Sequence, residues 1–215
     1  MKTAVADFSK ITCILRGYTA QETRLILEVL KDSGIRSVEI TMNTEGALSM
    51  IREAVERFGD SLSIGAGTVL TMEQLHDVVG AGADFVLSPV MFTREMLGYC
   101  RERKVIAVPA AFTPSEIYTQ LAWGADIVKV FPAVTVGPSY FRQLAGPLGA
   151  LPLMAVGGVN AENAQEFIKC GCPYLGVGSG MFRRADVSRG DAKRLRADVE
   201  AFEMAVRLPS VEGRG

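Results

Sequence analysis

The chain has a single histidine, His76. One imidazole cannot assemble a His-rich metal site or a Ser-His-Asp triad, which removes several enzyme classes at once. His76 stands in EQLHDVVGAG, a stretch that reads as a helix, and is expected on its exposed face. Cysteine is sparse: Cys13, Cys100, Cys170 and Cys172 are scattered apart from one Cys-x-Cys pair. That pair is too tight for an ordinary intrachain bridge and is not a zinc spacing, so a reduced, cytoplasmic protein without a metal is expected. Excess charge is absent too. A net charge of -1 gives no reason to expect nucleic acid or an anionic membrane as partner. No apolar run reaches the ~18 residues of a membrane span, and the start, MKTAVADFSK, lacks the apolar core of a signal peptide.

What is present is an ordinary globular balance, 48% apolar and 22% charged over 215 residues, with no linker dividing it. One domain over residues 1–215 is expected, with residues 208–215 a frayed polar tail. Short apolar runs alternate with helical stretches. Strands are expected at Ile11–Arg16, Ser37–Thr41, Leu62–Ala66, Phe85–Ser88, Val105–Val108, Ile127–Phe131, Leu153–Val156 and Tyr174–Val177. Between them AQETRLILEVLKDSG, TEGALSMIREAVERFG and NAENAQEFIKCG carry apolar residues at helical spacing. Thr19 with Glu22 forms a capping box pattern, and Thr113 before Pro114 and Asn160 before an acidic turn read as helix starts. A glycine precedes the second, fourth, sixth and eighth strand: Gly34, Gly82, Gly124 and Gly171, at spacings of 48, 42 and 47. Four similar βαβα units fit a (β/α)8 TIM barrel better than an open doubly wound sheet.

In such a barrel the catalytic groups sit at the C-terminal ends of the strands. Lys129, in DIVKVFPA, lies near the end of the sixth strand and Glu39, in SVEIT, near the end of the second. Strands four apart in a ring of eight face each other, so the two side chains can converge. A buried Lys-Glu pair that merely neutralises itself is one reading. The other is chemical: an apolar pocket lowers the pKa of Lys129 and leaves an amine able to attack a ketone, while a nearby carboxylate moves protons.

The last two strands end in glycines. Gly157-Gly158 follow the seventh, and Gly176, Gly178, Ser179 and Gly180 end the eighth. Turns need glycine anyway, so either cluster alone says little; both in these two loops, exposing backbone N–H groups with a helix N-terminus aimed inward, are expected to form a phosphate monoester site. Gly65-Ala66-Gly67-Thr68 is a further tight turn with a hydroxyl at the mouth, and Arg16 is either a carboxylate or phosphate ligand or an outward ion pair.

The segments VEITMNTEGA, IGAGTVLTMEQL, FTPSE, VKVFPA, GGVN and GVGSGMF, in order from about residue 10 to 185, resemble the class I aldolases that cleave 2-keto-3-deoxy-6-phosphogluconate (KDPG) and 4-hydroxy-2-oxoglutarate (KHG). The resemblance implies that Lys129 forms the Schiff base and Glu39 is the general acid/base. It also implies that Thr68 contacts the pyruvate part, with Thr113, Phe131 and Pro132 among the substrate-binding residues, and that Gly157, Gly158, Gly178 and Ser179 hold the phosphate. It further implies no cofactor, a homotrimer, and a phosphorylated 2-keto-3-deoxy sugar acid and pyruvate as the small-molecule partners. The sequence departs from the phosphogluconate pattern at Asn43, where an arginine usually binds the substrate carboxylate; Arg16 is the candidate replacement. ILRG, Asn43 and TVGPSYF are similar to the 2-keto-3-deoxy-6-phosphogalactonate branch. Ala110 after Pro109, and Val90 after Pro89, are further departures at the mouth. Two rivals stand beside the aldolase reading. One is a decarboxylase or isomerase of the wider phosphate-binding barrel group, against which the missing Asp-x-Lys-x-x-Asp cluster speaks. The other is a non-catalytic barrel that binds a sugar phosphate.

Overall fold

The computed structural model describes residues 5–206. The expected frayed tail at 208–215 lies outside them. The strands are β1 (Ile11–Leu15), β2 (Ser37–Thr41), β3 (Ser63–Gly67), β4 (Phe85–Leu87), β5 (Ile106–Val108), β6 (Ala110–Ala111), β7 (Val128–Val130), β8 (Leu153–Val156) and β9 (Tyr174–Val177). The helices are α1 (Ala20–Leu30), α2 (Ala47–Phe58), α3 (Met72–Gly80), α4 (Arg94–Arg103) and α5 (Pro114–Ala122). They continue with α6 (Ala133–Val136), α7 (Ser139–Leu148), α8 (Ala164–Lys169), α9 (Arg184–Ser188) and α10 (Ala192–Val206).

All strands pair in parallel, in the order β5-β4-β3-β2-β1-β9-β8-β7-β6. The two ends of that order are one stave. Pro109 has no N–H to give and interrupts the run between β5 and β6, but its carbonyl accepts the Lys129 N–H at 2.8 Å. The ring therefore closes as eight staves, a TIM barrel, as the alternation of strands and helices predicts.

Alternation along each strand sorts the side chains. On β2, Val38 and Ile40 join the large core between sheet and helices, whereas Glu39 faces the lumen. On β7, Val128 and Val130 face the helices and Lys129 faces in. The lumen is filled by Ile14, Phe85, Leu87, Ile106, Val108, Ile127, Met154 and Val156, and Phe8 plugs its lower end with its ring edge-on to Phe85 at 5.0 Å. An apolar, packed floor thus lies beneath the two ionisable groups.

Local signals hold with small shifts. Thr19 and Glu22 form both bonds of the capping box at α1, and Thr113 and Glu116 form another at α5. Gly82, Gly124 and Gly171 adopt φ of +94°, +100° and +90° between a helix and the next strand; Gly34 does not. The helix expected directly after Asn160 begins at Ala164, because the Asn160 and Asn163 side chains tie residues 160–163 into a turn of their own. His76 is exposed on α3 with its ring 4.5 Å from that of Tyr99. No helix among the described residues is long and apolar enough to cross a membrane.

Candidate active site

β2 and β7 lie four staves apart in either direction around the ring, so Glu39 and Lys129 face each other across the lumen. Glu39 is 1% exposed and Lys129 2%. Burial pushes the Glu39 carboxyl up from its ordinary value, against the pull of the Lys129 and Arg16 charges. Burial pushes Lys129 down from 10.5; Glu39 opposes that shift and Arg16 adds to it. Both groups are thereby moved toward their neutral forms, a pairing suited to a nucleophilic amine beside a proton donor. Glu39 Oε2 is buried without a hydrogen-bond partner among the described residues. Its carboxylate lies over the backbone of Gly67, where any side chain would collide with it. The Lys129 ammonium position stands 5.0 Å from the centroid of the Phe131 ring.

Phe131 and Pro132 are joined by a cis peptide bond, Phe131 half-buried and Pro132 exposed. The Phe131 ring packs against Gly157, at which a Cβ would stand 3.1 Å from it. Gly157 and Gly158 take φ of +95° and +77°, values that favour glycine. Together with Gly178 and Ser179 they line a cavity of about 190 Å³ whose other walls include Ile14, Arg16, Tyr18 and Phe131. The N–H groups of Gly158, Ser179 and Gly180 make no hydrogen bond among the described residues. Gly180 passes so close to the Val159 carbonyl that a Cβ there would clash with it, which locks the two loops together.

Arg16 is exposed, follows the end of β1 and forms no ion pair among the described residues. It faces the mouth cavity with a free charge, not an outward partner. Asn43 is exposed in the turn after β2, and Thr68 is half-buried after β3 with φ +56°. Thr113 is exposed, and its hydroxyl is taken up by the α5 cap, 3.0 Å from Glu116 Oε2. It lines neither the mouth cavity nor the 390 Å³ cleft on the other side of Phe131, which Val90, Ala110, Phe112 and Glu116 line.

A family model described as KDPG and KHG aldolase matches residues 3–197. The chain belongs to this aldolase family. It is accordingly a carbon–carbon lyase. The 2-dehydro-3-deoxy-6-phosphogalactonate aldolase of Escherichia coli (strain K12) is 32% identical over 200 residues, covering 91% of this chain and 96% of that protein. The 2-dehydro-3-deoxy-phosphogluconate aldolase of Treponema pallidum (strain Nichols) is 32% identical over 173 residues, 80% of this chain and 81% of that one. Among solved structures, a native KDPGal structure superposes with a TM-score of 0.82 at 32% identity, over 92% of this chain and 96% of that one. The KDPG aldolase of Legionella pneumophila, with pyruvate captured as a covalent carbinolamine intermediate, superposes with a TM-score of 0.81 at 28% identity, over 95% and 97%.

Several residues that shape the site carry no sequence signal of their own. Gly67 reads only as a turn glycine, yet it makes room for Glu39. Tyr18 and Ile14 line the mouth from β1 and its loop. Thr44, one residue beyond Asn43, is buried and accepts the Gly17 N–H at 2.9 Å, tying the loop of Arg16 to the strand of Glu39. A small hydroxyl residue in a turn ordinarily serves the turn itself, so only the fold reveals this partner.

Proposed function

We propose that the chain is a Schiff-base aldolase that cleaves a 2-keto-3-deoxy-6-phospho sugar acid to pyruvate and glyceraldehyde 3-phosphate. The observation that carries this reading is the burial of Lys129 opposite Glu39 in the lumen of the barrel. Lys129, pushed toward its neutral form by its apolar surroundings, attacks the C2 ketone as the free amine, and Glu39, directly or through a water, moves the protons that turn the carbinolamine into an iminium. Glu39 then takes the C4 hydroxyl proton as the C3–C4 bond breaks, and the iminium receives the electron pair as an enamine. The aldehyde leaves. Reprotonation at C3 and hydrolysis release pyruvate and restore the amine, so protons and electrons balance without a cofactor.

Arg16 is assigned to the substrate carboxylate, with Asn43 and Thr68 beside the pyruvate part and Phe131 and Pro132 as its wall. The free N–H groups around Gly157, Gly158, Gly178 and Ser179 are assigned to the phosphate. Thr113 belongs to this set only through the backbone of its loop, since its hydroxyl caps α5. Between the C4 epimers, the galactonate form is favoured: Arg16 is free at the mouth, Asn43 stands where an arginine is usual, and the Escherichia coli galactonate enzyme matches along 96% of its length. KHG itself, which lacks the phosphate, is expected to be a poorer substrate. A homotrimer of one-domain barrels is proposed, supported by exposed apolar side chains at Leu70, Val90 and Phe112 in loops at the mouth. Four free, buried cysteines support a reducing, cytoplasmic setting.

Turnover of the two epimers, followed by pyruvate release, tests the reading. Faster cleavage of the galactonate epimer, lost in Lys129→Ala, is the expected result. Cleavage of neither epimer by folded protein would contradict it.

A further inference from the structure

Arg184 opens α9, just beyond the loop that carries Gly178 and Ser179. Its Nη2 donates to the Gly17 carbonyl at 2.5 Å and to Glu22 Oε2 at 3.3 Å, and its guanidinium carbon stands 4.3 Å from the centroid of the Tyr18 ring. Glu22 is fixed in turn: its Oε1 accepts the Ser188 hydroxyl at 2.8 Å, and its Oε2 accepts the Thr19 N–H at 2.8 Å. On the other side of the same glycine, the Gly17 N–H donates to Thr44 Oγ1 at 2.9 Å. The Thr44 hydroxyl lies 3.0 Å from that of Thr41, which donates to the Leu15 carbonyl at 3.3 Å.

Both peptide groups that flank Gly17 are therefore gripped by side chains from distant parts of the chain. Gly17 has φ +68° and nothing within 4 Å of where a Cβ would stand, so the glycine serves the turn and not a tight contact. An exposed ion pair contributes little to stability by itself, and the Arg184 side chain is 51% exposed. One guanidinium that holds Gly17 and Tyr18 of the turn and Glu22 at the start of the helix behind it is explained instead by what the turn carries. That is Arg16, an unpaired cation on a long flexible side chain at the mouth, whose charge is felt by both Glu39 and Lys129.

We propose that Arg184 is a positioning residue for the reaction: by holding the Gly17 carbonyl, with Thr44 holding the Gly17 N–H, it aims Arg16 at the substrate carboxylate. The brace joins the loop at the phosphate end of the substrate to the cation at the carboxylate end. Arg184 faces a separate cavity of about 530 Å³, on the far side of Ser179 and Gly180, and does not line the mouth itself. It acts through Arg16. The proposal rests on the assignment of Arg16 given above.

A double-mutant cycle separates the two. Steady-state kinetics on the phosphorylated substrate compare Arg16→Gln, Arg184→Gln and the double variant, with Arg184→Lys and Thr44→Val alongside. Arg16→Gln is expected to raise KM about tenfold or more, since a charge-assisted contact to a carboxylate is lost. Arg184→Gln is expected to raise KM about threefold to tenfold with kcat nearly kept, and to add less than about twofold in the Arg16→Gln background. Arg184→Lys is expected to recover part of the loss and Thr44→Val to behave as Arg184→Gln does. Additive effects of Arg16→Gln and Arg184→Gln would overturn the proposal, because Arg184 would then act independently. A silent Arg16→Gln with unchanged KM would overturn the Arg16 assignment and the brace with it. Should Arg184→Gln prove unstable on thermal unfolding, Arg184→Lys and Thr44→Val in the same cycle decide the matter: additivity of either with Arg16→Gln counts against the proposal.

Discussion

The carboxylate of Glu39 occupies the space that a side chain at position 67 would fill. Gly67 is the register partner of Thr41, two residues beyond Glu39 on β2, so β3 leaves a hole at the point where the acid must lie. Gly67→Ala is therefore expected to push the carboxylate aside without unfolding the barrel. A displacement of ~1 Å at a reacting group costs about 100-fold in rate. The measurement is kcat together with a thermal unfolding curve. A fully active Gly67→Ala protein would show that Glu39 need not sit there.

The charges around Lys129 give a pH prediction with a definite sign. Burial is the main force that lowers its pKa from 10.5, the Glu39 charge works against that shift and the Arg16 charge adds to it. The rate of imine formation with pyruvate should rise with pH through a midpoint below 10.5, where the amine loses its proton. Glu39→Gln removes a charge that favours the ammonium, so the midpoint moves to lower pH. Arg16→Gln removes a charge that disfavours it, so the midpoint moves up. Stopped-flow or quenched-trapping rates across pH read both. Shifts in the same direction would contradict the electrostatic picture.

The two glycines at the end of β8 separate phosphate binding from chemistry. Gly158→Ala forces a side chain into a left-handed backbone position and against Val134. KM for the phosphorylated substrate is expected to rise about tenfold, as phosphate hydrogen bonds are lost, while the rate of pyruvate trapping stays within about twofold. Equal losses in both assays would move these glycines from the phosphate to the reacting centre.

Thr113 offers a test of opposite kind. Its hydroxyl and Glu116 build a complete capping box at α5. Thr113→Ala should lower stability by ~1 kcal/mol in urea unfolding and leave KM nearly unchanged. A large rise in KM with unaltered stability would return the side chain to the substrate pocket.

Much of this architecture was legible from residue patterns, because burial and pleat act locally. Ser37–Thr41, Leu153–Val156 and Tyr174–Val177 form strands at the bounds expected of their apolar runs. The misses have physical causes. β3 runs through Gly67, a residue poor in strand propensity whose missing side chain leaves room for Glu39. Pro109 splits the fifth stave and leaves Ala110–Ala111 to pair with β7, a short run with no β-branched residue to announce it. Lys129 and Glu39 were legible because a charge inside an apolar strand is costly and therefore conspicuous. The brace was not. Arg184 and Gly17 are 167 residues apart, and neither an exposed arginine nor a turn glycine stands out before the fold brings them together.

The most direct test of the central claim is borohydride reduction in the presence of pyruvate, followed by intact mass and peptide mapping. The account predicts one lactyl-sized adduct per chain, on Lys129, and none in Lys129→Ala. Folded wild-type protein that gives no adduct, or one carried by a different lysine, would contradict it.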